Sequence, residues 1–437
     1  MPPSHEGAPH HDSRARDDLT VCRNGFRWLV AEIAATDFGT AHSVFLSPSE
    51  GPPGVGAPKL YHLALLFCEL LFNCVMSRHI SLLIWVSVLG WLARAQQRPF
   101  NLAHENRSLI VMVAPSVWDN VYQEAFLDII NFQLEFAKAL HEHENVVLIA
   151  DKHTMPYLDG RVPNMKNRLP YDALIEANLY DINVHDYAPQ GVKNLVKFIY
   201  RNKNMADISD KQVDDGFNRF LIDNRIRIDK REMDLTLSGR DVVDNGMNKA
   251  VISENVQRLN ENRLPDWGIM IKLSNAFRKV VMVEKPEDYE TMRLDDIFLF
   301  IDEDILAIPP LKEPERAELE AAIKRKFRNE IILIDLPVSG ITPIGNCGFY
   351  TAALSTEKYV YVPVYGNDPS NWNHGFSTMD DKMALNIIGA NTRKKVIPIS
   401  VPMSFCKRNL SLRSITWTVH GQTADQLISI PRRKFTL

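Results

Sequence analysis

From Arg107 onward the chain repeats one order of elements: an apolar strand, a polar turn, a second strand, an amphipathic helix and a third strand. The segment "IFLFIDEDILAIP" (297–309) reads as strand, acidic turn and strand, the helix "EPERAELEAAIKRKFR" (313–328) follows, and the strand "NEIILIDLP" (329–337) ends the copy. "YTAALSTEKYVYVPVYG" (350–366), "TMDDKMALNIIGA" (378–390) and "KKVIPISVP" (394–402) run through the same order. A third copy is "VVDNGMNKAVIS" (242–253), "DWGIMIKLSNAF" (266–277) and "KVVMVEKP" (279–286). A long helix around 119–143 and the strand "NVVLIAD" (145–151) end a fourth. A tight turn joins antiparallel strands and a helical crossover joins parallel ones, so each copy is a ββαβ unit. Units of roughly 60–70 residues that recur in this way suggest radial or stacked copies with the functional site at their common axis. The pattern alone leaves an ordinary α/β sandwich without symmetry as the alternative.

The chain has 437 residues, 45% of them hydrophobic and 24% charged, which allows an ample core. A formal charge of −4 gives no footprint for nucleic acid. The five cysteines (Cys22, Cys68, Cys74, Cys347, Cys406) form no CxxC pair, so a zinc site built on that spacing is not expected. No other metal and no cofactor is expected. Residues 1–75 read as a non-native or disordered upstream segment, because 1–59 are rich in Pro, Gly, His and Asp without a sustained period. From Met76, "MSRHISLLIWVSVLGWLARAQQ" has the parts of a secretory signal peptide (76–95): Arg78 and His79, the apolar Ile80–Leu92, and the small-x-small Ala93-Arg94-Ala95. The domain then runs over 96–437, and the protein is expected outside the cell with no stable membrane span after cleavage. The rival reading is a membrane anchor through the same apolar stretch. Cleavage leaves Cys347 and Cys406, an even pair that permits one disulfide, and the sequons at Asn106 and Asn409 are glycosylation candidates.

Six segments in order carry a more specific signal: the helix "NVYQEAFLDIINFQLEFAKAL", "DINVHDYAP" (181–189), "LSGRDVVDNG" (237–246), "RLDDIFLFIDEDIL" (293–306), "FYTAALSTEKYVYVPVYG" (349–366) and "SLRSITWTVHG". Together they resemble the agmatine deiminase and bacterial, Porphyromonas-type peptidylarginine deiminase family of the guanidino-group-modifying superfamily. The resemblance covers nearly everything from about residue 107 onward. It implies an α/β fold, a five-fold pseudosymmetric β/α-propeller (a pentein) built from ββαβ modules. It also implies hydrolysis of a guanidinium to a ureido group and ammonia: a cysteine thiolate attacks, a histidine moves protons and carboxylates hold the planar cation.

Residue by residue, the resemblance is uneven. The family's W-x-R-D-[FY]-[AG]-P falls on Asn183-Val184-His185-Asp186-Tyr187-Ala188-Pro189, which keeps the guanidinium-binding aspartate as Asp186. G-G-N falls on Gly239-Arg240-Asp241, and Y-x-N on Tyr350-Thr351-Ala352. G-H-x-D falls on Met292-Arg293-Leu294-Asp295, so the second carboxylate stays as Asp295 and the proton-transfer histidine is Arg293. The nucleophile position is Ser414, read here as the first residue of a strand in which Ile415, Trp417 and Val419 alternate with Thr416, Thr418 and His420.

The resemblance therefore makes Ser414, Arg293, Asp295 and Asp186 the catalytic positions, and Gly239, Arg240, Asp241, Ala352 and His185 the substrate-binding ones. A serine hydroxyl without a base and an always-charged arginine cannot perform the thiolate chemistry, so a catalytically degenerate binding or structural protein is expected. Its partner would be a guanidino compound or a protein, and no nucleic acid. The alternative is an active amidine hydrolase acting on agmatine, arginine or peptidyl-arginine, as in putrescine biosynthesis or protein citrullination. Cys406 as substitute thiol and a Ser414–His185–Asp186 triad are disfavoured, the second because adjacent strand residues point to opposite faces. Asp296 has a solvent-facing reading, and "FIDEDIL" reads as a turn in preference to a calcium loop. Of Arg240, Arg293 and Arg413, Arg293 is expected to pair with Asp186 or Asp295 inside the cavity. The mature N-terminus is expected at Gln96; intact mass of native protein retaining residues 1–75 would overturn this.

Overall fold

Strand β1 (Leu109–Val113) is apolar at every position because both of its faces are covered. Ile110 and Met112 pack into one core cluster and Leu109, Val111 and Val113 into another. This computed structural model describes residues 108–433, with short breaks at 164, 166, 192–194, 202–209 and 341–343. The signal-like segment, Asn106 and the first three cysteines lie outside the described residues.

Among the described residues the strands form five small, separate sheets of mixed α/β type, and none closes on another. In the first, β1 pairs in parallel with β2 (Asn145–Ala150) across helix α1 (Phe126–His141), β2 pairs in parallel with β3 (Leu174–Glu176), and the C-terminal β15 (Thr416–Val419) lies antiparallel to β1. In the second, β4 (Leu195–Ile199) and β5 (Lys230–Thr236) are parallel, joined through α2 (Asp210–Asp223). The third holds the hairpin β6 (Val242–Asp244) and β7 (Lys249–Ser253), with α3 (Asp266–Phe277) leading to the parallel β8 (Lys279–Val283). The fourth repeats this order with β9 (Leu299–Asp302), β10 (Ile305–Ile308), α4 (Glu315–Phe327) and β11 (Ile332–Asp335). The fifth repeats it again with β12 (Leu354–Ser355), β13 (Tyr359–Val364), α5 (Thr378–Ala390) and β14 (Lys395–Ser400). The four copies read from the sequence are all present. The second sheet is the one missed, because its hairpin has shrunk to a single antiparallel bridge between Gln190 and Val196.

A short helical turn precedes the opening strand or bridge of each unit: Val184–Tyr187, Gly239–Asp241, Leu294–Ile297, Tyr350–Ala352, and a non-helical counterpart at 412–415 before β15. These turns carry the motif residues, and the four helical ones pack one against the next in chain order. Gly239 is required for this approach: a Cβ there would lie 1.9 Å from the His185 carbonyl oxygen and 2.4 Å from Gln190 Nε2. Cys347 and Cys406 are joined by a disulfide with S–S 2.03 Å, tying the loop before the Tyr350 turn to the short helix Met403–Cys406.

Two sequence expectations are corrected here. Ser414 sits in a turn, not on a strand, and β15 begins at Thr416 because Ser411 and Ser414 hydrogen-bond each other across that turn. His185 and Asp186 also lie on a helical turn, not a strand, so strand alternation does not govern their directions. Gly239→Ala is expected to destabilise the fold by about 3 kcal/mol, since the His185 carbonyl is backbone and cannot yield; a urea melt within about 0.5 kcal/mol of wild type, the usual scatter of neutral surface changes, would contradict the contact.

Candidate functional site

Ser238 caps the Gly239–Asp241 turn, its Oγ accepting from the Arg240 N–H at 3.2 Å while its hydroxyl donates to Asp186 Oδ1. That cap aims the Arg240 side chain into the neighbouring unit. Its Nε donates to Asp295 Oδ1 and Oδ2 at 3.0 and 3.1 Å, Nη2 to Asp296 Oδ2 at 2.6 Å, and Nη1 to the Asn409 carbonyl at 2.9 Å. Asp296 also accepts from Asn346 Nδ2 at 2.9 Å, and its carbonyl accepts from Thr351 Oγ1. Arg240 is 3% exposed, Asp295 and Asp296 0% and Asp186 5%, so the cluster is shut away from solvent.

One guanidinium thus faces three carboxylates, Asp186, Asp295 and Asp296. Burial works against the Arg240 charge, but Asp295 and then Asp296 outweigh it and hold its pKa above the ordinary value. Burial raises the Asp295 carboxyl to about 7 although Arg240 pulls it down, and the Asp296 and Asp186 charges add to the rise.

The guanidinium on Asp295 belongs to Arg240 and not, as expected from sequence, to Arg293. Arg293 is the N-cap of the Leu294–Ile297 turn in extended conformation (φ −88°, ψ 156°) and is half-buried, which carries its side chain elsewhere. Its charge is felt by Asp241, whose carboxyl is raised by burial and pulled back by Arg293. The solvent-facing reading of Asp296 is corrected by its two partners. Ala352 is 1% exposed and packs into the core with Phe349, offering no polar group.

Ser414 is fully buried, and both functions of its hydroxyl are spent within its own turn. It accepts from the Ser411 N–H at 2.8 Å and donates to the Ser411 carbonyl at 3.1 Å. His185 meets Ser414 through the backbone only, its N–H donating to the Ser414 carbonyl at 3.1 Å, so no Ser–His–Asp relay exists. Cys406 is consumed in the disulfide and is no substitute thiol. Among the described residues no cluster of His, Cys, Asp or Glu fits a metal ion. Ser238, Asp296, Asn346 and Thr351 were missed from sequence; the adjacent acids Asp295-Asp296 at a helix start, both out of solvent, were the available signal.

The architecture and the order of these turns define the class: this chain has the fold of the agmatine and arginine deiminases. It resembles the agmatine deiminase of C. jejuni at 16% identity and a TM-score of 0.57, over 72% of this chain and 94% of that one. The agmatine deiminase of Enterococcus faecalis is similar at 14% identity and a TM-score of 0.52, over 73% and 94%. A Porphyromonas gingivalis protein described as an arginine deiminase matches at 15% and 0.54, over 74% and 98%. No protein-family model and no curated protein sequence matches the chain.

Beneath the Val184–Tyr187 turn lies a second buried group. Asp181 Oδ1 accepts from the Asn183 N–H at 2.9 Å and from Asn183 Nδ2 at 3.1 Å, and the Tyr200 hydroxyl is 3.4 Å from Oδ2. Burial, with Asp186 adding, raises Asp181 to about 6. The folded chain then keeps a proton that the unfolded chain has released, so stability falls as pH rises from about 4 to 6 and the loss is complete above that window. Asp181→Asn is expected to gain about 3 kcal/mol on wild type between pH 4 and 7; urea melts with a pH-independent difference would contradict this.

Proposed function

We propose that this chain is a catalytically degenerate relative of the agmatine and peptidylarginine deiminases, acting as a binding or structural protein outside the cell. The observation that carries this reading is Arg240, whose guanidinium occupies Asp295, one of the two carboxylates that would hold a substrate guanidinium, while Ser238 holds the other, Asp186. A second cation about 5 Å away would meet roughly 3 kcal/mol of repulsion at an effective dielectric near 20. Ser414, with its hydroxyl turned into its own turn, and Arg293, which cannot accept a proton, support the same conclusion. The five units, each an antiparallel step followed by a parallel one, support a propeller-like disposition about one axis. The Cys347–Cys406 disulfide supports an oxidising compartment, in keeping with the signal-like residues 76–95.

Wild-type protein is expected to release no ammonia from agmatine, arginine or arginyl peptides, and Ser414→Cys alone to restore none. Turnover by the unmodified chain that is lost in Asp186→Ala would overturn the reading. Arg240→Ala strands two buried carboxylates and is expected to cost about 3–5 kcal/mol. Millimolar agmatine should restore part of that loss in the variant and leave the wild-type melting curve unmoved. Stabilisation of both proteins by agmatine would mean that the site is open.

A further inference from the structure

The other side of the turns is not filled. A cavity of about 670 Å³ is lined by residues from all five units, among them Gln190, Asp244, Phe300, Ser355 and Trp417. Asp186, Arg293, Asp295 and Ser414, the positions that the resemblance makes catalytic, do not line it. The turn that sends Asp186 to Ser238 sends its neighbour His185 into this cavity.

Three cavity groups have bonding capacity unspent. The His185 ring is hydrogen-bonded to the Thr416 backbone, while its Nε2 is buried with no partner. Burial, then the Arg413 and Arg240 charges, lower the His185 pKa, so the ring is neutral and Nε2 is a bare acceptor. Arg413 also lines the cavity, and among the described residues no hydrogen bond or ion pair engages its guanidinium. The Asp244 carboxyl stands by, raised by burial and pulled back by the Arg413 charge, its Oδ1 taken by the Gly246 N–H at 2.7 Å and its Oδ2 without a hydrogen bond among the described residues. An unpaired guanidinium, a bare imidazole nitrogen and a free carboxylate oxygen around one space are the complement of a carboxylate beside an ammonium.

We propose that this cavity binds a free α-amino acid, its carboxylate on Arg413 and its ammonium shared by His185 Nε2 and Asp244. At the margin the acids Asp302, Glu303 and Glu357 outnumber the one lysine, Lys394, which disfavours an acidic side chain. The inference does not depend on loss of deiminase chemistry, since its residues do not touch the Arg240 cluster's carboxylates.

Calorimetric titration of the full chain with L-alanine, L-lysine and L-glutamate, and with propionate and propylamine as half-ligands, tests it. Alanine and lysine are expected to bind, glutamate and either half-ligand at least tenfold more weakly. Arg413→Gln and His185→Phe are each expected to weaken alanine at least tenfold. Thermal shift of wild-type protein by alanine gives an independent reading should either variant fold poorly. Absence of binding and of any thermal shift at 10 mM alanine and lysine, about the weakest affinity worth calling specific, would overturn the proposal, as would full affinity for propionate alone.

Discussion

The buried ion cluster around Arg240 is the contact on which the arrangement of the motif turns depends. A planar guanidinium accepts partners only in its own plane, so Asp295, Asp296 and the Asn409 carbonyl must arrive from two different stretches of chain in fixed directions. Ser238 holds the third acid, Asp186, at one side while its cap sets the direction of Arg240 itself. Such clusters add little net stability over well-packed apolar groups, because every charge has been stripped of water. Their effect is on geometry: any displaced turn leaves a buried charge unmatched, so alternative packings of the same turns are excluded.

Much of the architecture was legible because strand, turn and helix periods recur with little distortion. α5 spans the residues read from the sequence, and the β9–β10 and β12–β13 hairpins fall within their expected segments. The unit around β4 and β5 was not legible, since one bridging residue, Gln190, replaces a strand and leaves no alternation to see. The site was legible by position and not by direction. Motif order placed Arg240, Arg293 and Arg413 near the two carboxylates, but which of them turns inward follows from local backbone. A 3-10 turn capped by Ser238 points Arg240 at Asp295; an extended N-cap takes Arg293 to the Asp241 side; Arg413, next to Ser414, faces the cavity. None of these directions is encoded in spacing.

The turns therefore have two unlike faces. On one, Ser414 bonds within its own turn through both its proton and its oxygen, and Asp296 makes bonds to two side chains, with Asn346 Oδ1 left without a partner among the described residues. On the other, His185 and Arg413 keep capacity in reserve. Adjacent residues serve the two faces, Asp186 beside His185 on a helical turn whose neighbouring side chains diverge by about 100°, and Ser414 beside Arg413 on the tight turn before β15.

The first sheet joins the beginning of the described chain to its end: Leu109 lies opposite Val419. On the ribosome those two residues emerge far apart in time, since roughly 310 residues at about 5–20 per second amount to some 15–60 s. For that interval one edge of β1, an unbroken row of buried apolar residues in the finished molecule, has no strand to pair with. Nascent chains of this protein thus carry an exposed, sticky edge until β15 has been made, and truncation anywhere before Thr416 leaves it permanently open.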